Sequence, residues 1–161
     1  MRKFATKIST LALVSFALMG ATTASAHHSY TFTGNVSMFK GIPLTCVATV
    51  VKTPDHDPIT NAELNTGTVT VSLSPGDTNC NLLAITSNPM TYTQGAPDVD
   101  GWKDMTVNGL RVSTITIGNC YGNITVRKGP IGPGQWGMEI DAVVPEEFGG
   151  GDCSVNGFLE S

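Results

Sequence analysis

The residues best able to do chemistry are few. Histidine occurs three times, as His27, His28 and His56. Cleavage after Ala26 would leave a free α-amine beside the His27 imidazole, a nitrogen pair of the kind that chelates Cu(II), with His56 as the remote ligand. The run Asp55-His56-Asp57 sets two carboxylates beside an imidazole, which suits a divalent ion or a raised histidine pKa. Consecutive residues rarely converge on one point, however, and Pro54 and Pro58 mark the segment as a loop. His27 and His56 are therefore weak metal candidates, and no metal or other cofactor is expected. Asp98, Asp100, Asp104, Glu146 and Glu147 lack the spacing of a calcium-binding loop. There is no G-x-S-x-G elbow, and a Ser–His–acid triad would rest on His56 alone. No catalytic residue is assigned, and an enzyme is not expected.

Aromatic side chains are the other candidates. Trp102 follows the breaker segment APDVDG (96–101), and Trp136 follows GPGQ (132–135). Each precedes an expected strand, so each stands at a rim. A tryptophan buries a large apolar face while its indole N–H stays hydrated, which suits an oil–water boundary. Met90 and Met138 add adaptable apolar surface. The competing reading makes both tryptophans plugs at the open ends of a β structure, buried as core. Tyr121 and Phe148 lie beside similar glycine-rich loops.

The elements that must hold these residues are strands. Residues 111–127, RVSTITIGNCYGNITVR, read as two strands joined at Gly118-Asn119: Val112, Thr114 and Thr116 alternate with Ser113, Ile115 and Ile117, the period of a half-buried strand. Val69, Val71 and Leu73 share one face of another strand, with Thr68, Thr70 and Ser72 on the opposite face. Further strands are expected over 29–35, 44–52, 89–93 with Met90 and Tyr92 inward, and 136–144. Asn108-Gly109 has the composition of a two-residue hairpin turn. The segments 54–58 and 129–134, rich in proline and glycine, are expected to be loops. No run outside the N-terminus keeps a helical apolar period. The expected fold is all-β: a single disulfide-stapled β-sandwich or barrel built from hairpins.

Residues 1–26 read as a secretory signal peptide. Arg2, Lys3 and Lys7 precede the apolar stretch LALVSFALMG (11–20), and Ala24-Ser25-Ala26 supplies a cleavage site. The mature domain would be 27–161, exported to the periplasm or beyond the cell, and not an integral membrane protein. It would carry six basic and 13 acidic residues, a net charge of about −7, which suits neither nucleic acid nor an anionic surface. Its four cysteines, Cys46, Cys80, Cys120 and Cys153, lie far apart. That spacing argues for disulfides over zinc in an exported chain. Of the three pairings, Cys46–Cys80 with Cys120–Cys153 is favoured, because it joins sequence neighbours in a meander.

The order of short motifs also resembles a known family. TFTG (31–34), GIPLTC (41–46), the cysteine at 80 followed by Pro89, GNCYGNITV (118–126) and GGDCSVNGFL (150–159) together resemble the secreted bacterial protein activators of alkane oxidation. The start at His27-His28, the segment 54–58 and Met90, where the pattern would have tryptophan, depart from it. The resemblance implies a non-enzymatic exported accessory protein that assists the use or dispersal of hydrocarbon and carries no catalytic residues. Its partners would be apolar small molecules or a hydrocarbon surface. An alternative is an extracellular fibre or adhesin subunit that self-associates by strand exchange, since its strands are threonine-rich and poor in charge.

Overall fold

The computed structural model describes residues 28–75, 78–114 and 118–161; the expected signal segment, His27 and the expected strand residues 115–117 lie outside them. The alternating runs form β1 (Tyr30–Phe39), β2 (Pro43–His56), β3 (Glu63–Pro75), β4 (Leu83–Ile85), β5 (Met90–Gln94), β6 (Lys103–Thr114), β7 (Gly118–Gly132), β8 (Gln135–Val144), β9 (Glu146–Phe148) and β10 (Cys153–Glu160). A short 3-10 helix, Thr78–Leu82, precedes β4. Pairing runs β1–β2–β3–β5–β6–β7–β8–β10 and returns from β10 to β1, always antiparallel. The all-β expectation therefore resolves as a closed eight-stranded barrel. Its order is a meander, with β4 and β9 added along β6 and β7.

Parity decides which side chains fill it. Phe32, Val36 and Met38 of β1 are buried, as are Leu44, Cys46, Ala48 and Val50 of β2. The alternate positions Thr31, Thr33, Asn35 and Ser37 are exposed, as are Thr70, Ser72 and Ser74 of β3. Apolar groups thus point inward and hydroxyls outward.

Three expected breakers lie inside strands. Asn108-Gly109 is a β-bulge rather than a hairpin turn. Val107 pairs with Ile124 and Leu110 with Gly122, which leaves one extra residue on β6. Gly109 takes it up at φ +71°, and its N–H donates to Asn123 Oδ1 at 2.9 Å. The bulge switches parity, so Met105, Val107, Leu110 and Val112 all face inward and are buried. Pro54 belongs to β2 and Pro130 to β7. The β1–β2 register ends at Tyr30↔Lys52 and the β6–β7 register at Lys103↔Lys128. Beyond these pairs each strand has one free flank, where proline's missing N–H is tolerated. Of the first proline segment only 57–58 lies outside the strand, and the chain turns back over 57–62, held by Asp57 Oδ1 accepting from Ile59 N and Thr60 N. Likewise Gly118 pairs with Thr114 and Asn119 with Ser113, so Gly118-Asn119 belongs to β7 rather than to a turn.

The two ends of the barrel differ. One is stapled by Cys46–Cys80 and Cys120–Cys153, the favoured pairing. Beside the second of these lies Lys40, 4% exposed. Its ammonium donates to Gly151 O at 2.9 Å and Asn119 O at 3.2 Å, and reaches Cys120 Sγ at 3.3 Å. The other end is the rim where Pro54 and Pro130 stand.

Candidate functional site

The proline-bearing end opens into a recess of about 210 Å³, lined in part by Tyr30, Lys52, Glu63, Lys103, Lys128 and Trp136. Strand register places them there. Lys52 continues the inward face Ala48, Val50 and pairs with Tyr30, while Lys128 continues the inward face Ile124, Val126 and pairs with Lys103. Both ammonium-bearing side chains are buried, Lys52 at 2% and Lys128 at 7% exposure. They sit on aromatic faces, and Glu63 is the carboxylate near enough to act on both. Lys52 Nζ is 4.7 Å from the Tyr92 ring centre and 5.3 Å from Tyr30. Lys128 Nζ is 4.4 Å from Tyr30, 4.7 Å from Trp136 and 5.6 Å from Phe32. Cation–π attraction of this kind offsets part of the desolvation of each charge. Glu63 is taken up by Tyr30, whose hydroxyl donates to Oε1 at 2.6 Å. The Tyr92 hydroxyl is buried with no hydrogen-bond partner among the described residues.

These surroundings shift protonation. Burial, reinforced by the charge of Lys128, lowers the Lys52 pKa to about 8; burial also lowers that of Lys128. The hydrogen bond to Glu63, then burial, pushes Tyr30 up to about 12, and burial raises Tyr92. A lysine whose folded pKa lies below its unfolded 10.5 penalises the fold while charged, and the penalty lifts as pH rises through the window between the two values. Above pH 10 the raised tyrosines act in the opposite sense, because unfolded tyrosine ionises first. The urea midpoint is therefore expected to rise from pH 8 to about 10 and to fall above it. Lys52→Met should flatten the rise; an unchanged rise in that variant would refute the assignment.

Deeper in the barrel is a cavity of about 60 Å³ whose lining includes Val36, Val69, Met90, Met105, Met138 and Ile140. No charged or hydroxyl-bearing residue lines it. Phe32, fully buried, lies at the boundary: its ring is near Lys128, and its register partner Val50 lines the cavity.

The structure brings some expected residues together and separates others. Trp102 and Trp136 meet at the same stretch of rim but on opposite faces. Trp136 pairs with Pro130, lines the recess and is 37% exposed. Trp102 lies outside, against Gly129, where a Cβ would fall 2.7 Å from its Cε2, and Arg127 sits 5.6 Å above the ring. Met90 and Met138 are buried and face the inner cavity, so they would meet an apolar molecule only inside the barrel. His56 ends β2 opposite Glu63, and Asp55 accepts from Thr66 Oγ1. Asp98 pairs with Arg127 at 2.7 Å and Glu147 with Arg111, which disperses the acidic residues considered for calcium. Among the described residues no three His, Cys, Asp or Glu side chains form a metal-binding group, and no helix is long and apolar enough to cross a membrane. Sequence reasoning missed Lys52, Lys128, Tyr30 and Glu63. The available signal was a lysine in phase with an apolar strand face.

Compared with known proteins, the chain matches at residues 1–160 the family model described as alkane oxidation protein activator, PraA/PraB-like. No curated protein matches it, and no solved structure does.

Proposed function

Because the chain belongs to the PraA/PraB-like family of alkane oxidation protein activators, we propose that it is an exported, non-enzymatic accessory protein that contacts hydrocarbon at the open end of its barrel. The observation that carries this reading is the carbon-lined cavity beneath an aromatic rim. Trp136 is the contact at the recess and Trp102 the contact on the outer rim; Met90 and Met138 receive whatever apolar group passes inward. Two disulfides support an oxidising compartment. The hydroxyl-bearing outer face supports a water-exposed barrel, since a lipid-facing one carries an apolar band there. Strand exchange between copies needs an open sheet edge, and closure of the ring counts against that alternative.

The test is hexadecane emulsification by the purified protein and by Trp136→Ala and Trp102→Ala. Trp136→Ala is expected to emulsify less while losing only about 1 kcal/mol of stability or less, as suits a partly exposed side chain. Wild-type protein that leaves hexadecane undispersed, or a Trp136→Ala variant with full activity, would overturn the reading.

A further inference from the structure

We propose that the recess at the open end is an anion site that binds the carboxylate of a small amphiphilic monocarboxylic acid between Lys52 and Lys128. The inference rests on the same recess as the hydrocarbon reading but on different atoms.

The buried lysines of this molecule are of two kinds. Lys40 is a buried lysine with a structural role, and its ammonium has carbonyl partners in β7 and in the loop between β9 and β10. Lys52 and Lys128 are as deeply buried, yet among the described residues neither has a hydrogen-bond or ion-pair partner. A buried ammonium without a carboxylate or carbonyl is costly, and aromatic faces offset only part of that cost. The groups facing this space carry an excess of positive charge. Lys52, Lys103 and Lys128 come from β2, β6 and β7, against Glu63 from β3, whose carboxylate already holds the Tyr30 hydroxyl. Asp55 lies near enough to Tyr92 to act on it but points to solvent and to Thr66. Three of the six basic residues beyond position 26 thus gather at one opening of an acidic chain. Tyr92, whose ring lies 4.7 Å from Lys52 Nζ, also has a buried hydroxyl with no hydrogen-bond partner among the described residues.

The shape restricts the ligand. A cavity of about 150 Å³ takes up benzene, so a recess of about 210 Å³ admits a ring or short alkyl chain with its head group. Tyr30, Trp136 and Leu64 supply apolar wall between the polar groups Glu63, Asn65, Gln94 and the lysines, and the Phe32 ring lies 5.6 Å from Lys128 Nζ, which suits a short apolar body behind a single charged head. A carboxylate supplies one charge and acceptors for both ammonium groups. A multiply charged, strongly hydrated anion would have to shed far more water in the same space.

Octanoate is the probe, titrated into the purified protein with Trp136 fluorescence and calorimetry as readouts. Wild type is expected to bind octanoate at least about tenfold more tightly than octanol, which has the same chain and a neutral head. Lys52→Met and Lys128→Met should each weaken octanoate by about tenfold or more and octanol by much less. At pH 8 to 9 binding should take up protons, because the bound carboxylate holds Lys52 charged, and Lys52→Met should reduce that uptake. Equal affinity for octanoate and octanol would overturn the anion site while leaving an apolar recess in place. Inorganic phosphate or acetate binding as tightly as octanoate would overturn the amphiphile assignment. No octanoate binding to wild type, or unchanged binding in the folded double variant, would overturn the proposal outright. Because hexadecane emulsification is read separately, failure there does not bear on the lysines.

Discussion

Replacing Cys120 and Cys153 together by alanine is expected to remove about 4 kcal/mol of stability, read as a lower urea midpoint with a slope that rises as the unfolded chain expands. The two residues are 33 positions apart, and closing a loop of that length restricts the unfolded chain by about this amount in the chain-entropy view. The folded state adds to the effect. Cys120 is fully buried and Cys153 is 3% exposed, so two methyl groups in their place leave unfilled volume between β7 and β10. Lys40 also loses the sulfur it reaches at 3.3 Å and keeps only carbonyl partners for a buried charge. A midpoint shift equivalent to less than about 1 kcal/mol would mean that the hydrogen-bonded ring holds that end closed by itself. The Cys46–Cys80 bond closes a span of 34 positions, so chain entropy predicts nearly the same loss there. A larger loss at Cys120–Cys153 would isolate the contribution of Lys40.

The barrel was legible where parity was uninterrupted. Val69, Val71 and Leu73 lie on one face of β3, and Met90 with Tyr92 point inward as the alternation requires. The disulfide pairing was legible because a meander brings successive turns to one end. What composition concealed was the difference between a residue that ends a strand and one that marks where a neighbour ends. Pro54 and Pro130 look like loop residues in isolation, but each sits just past the last cross-strand pair with one neighbour. Asn108-Gly109 has the residues of a turn and serves as a bulge, because the strand on its far side continues and Asn123 supplies the missing acceptor. The same cause hid the recess. Lys52 and Lys128 follow the apolar phase of β2 and β7, yet a lone lysine at a strand end reads as solvated surface. That they share a space depends on ring closure, a relation between strands separated by most of the chain. Trp136 was legible as a rim residue from its breaker segment; its place over Lys128 was not.

Phe32→Ala is expected to cost about 3–5 kcal/mol, the largest loss for a single substitution away from the disulfides. Phe32 is 0% exposed and pairs with Val50 across the β1–β2 ladder. The cost depends on whether neighbours can move into the space. Here β1 is hydrogen-bonded to β2 on one flank and β10 on the other, so the wall cannot fold inward without breaking a ladder, and the lost volume remains as a cavity. Phe32→Leu keeps most of that volume and is expected to recover most of the loss. The position also separates two spaces. The ring lies 5.6 Å from Lys128 Nζ in the recess, and Val50 behind it lines the inner cavity. Removing the ring therefore joins them, and Phe32→Ala should shift preference from octanoate toward longer carboxylates while its fold weakens. A packing defect without connection to the recess would lower stability and leave chain-length preference unchanged. A loss below about 1 kcal/mol would show that the wall does collapse, and that Phe32 does not keep the two spaces apart.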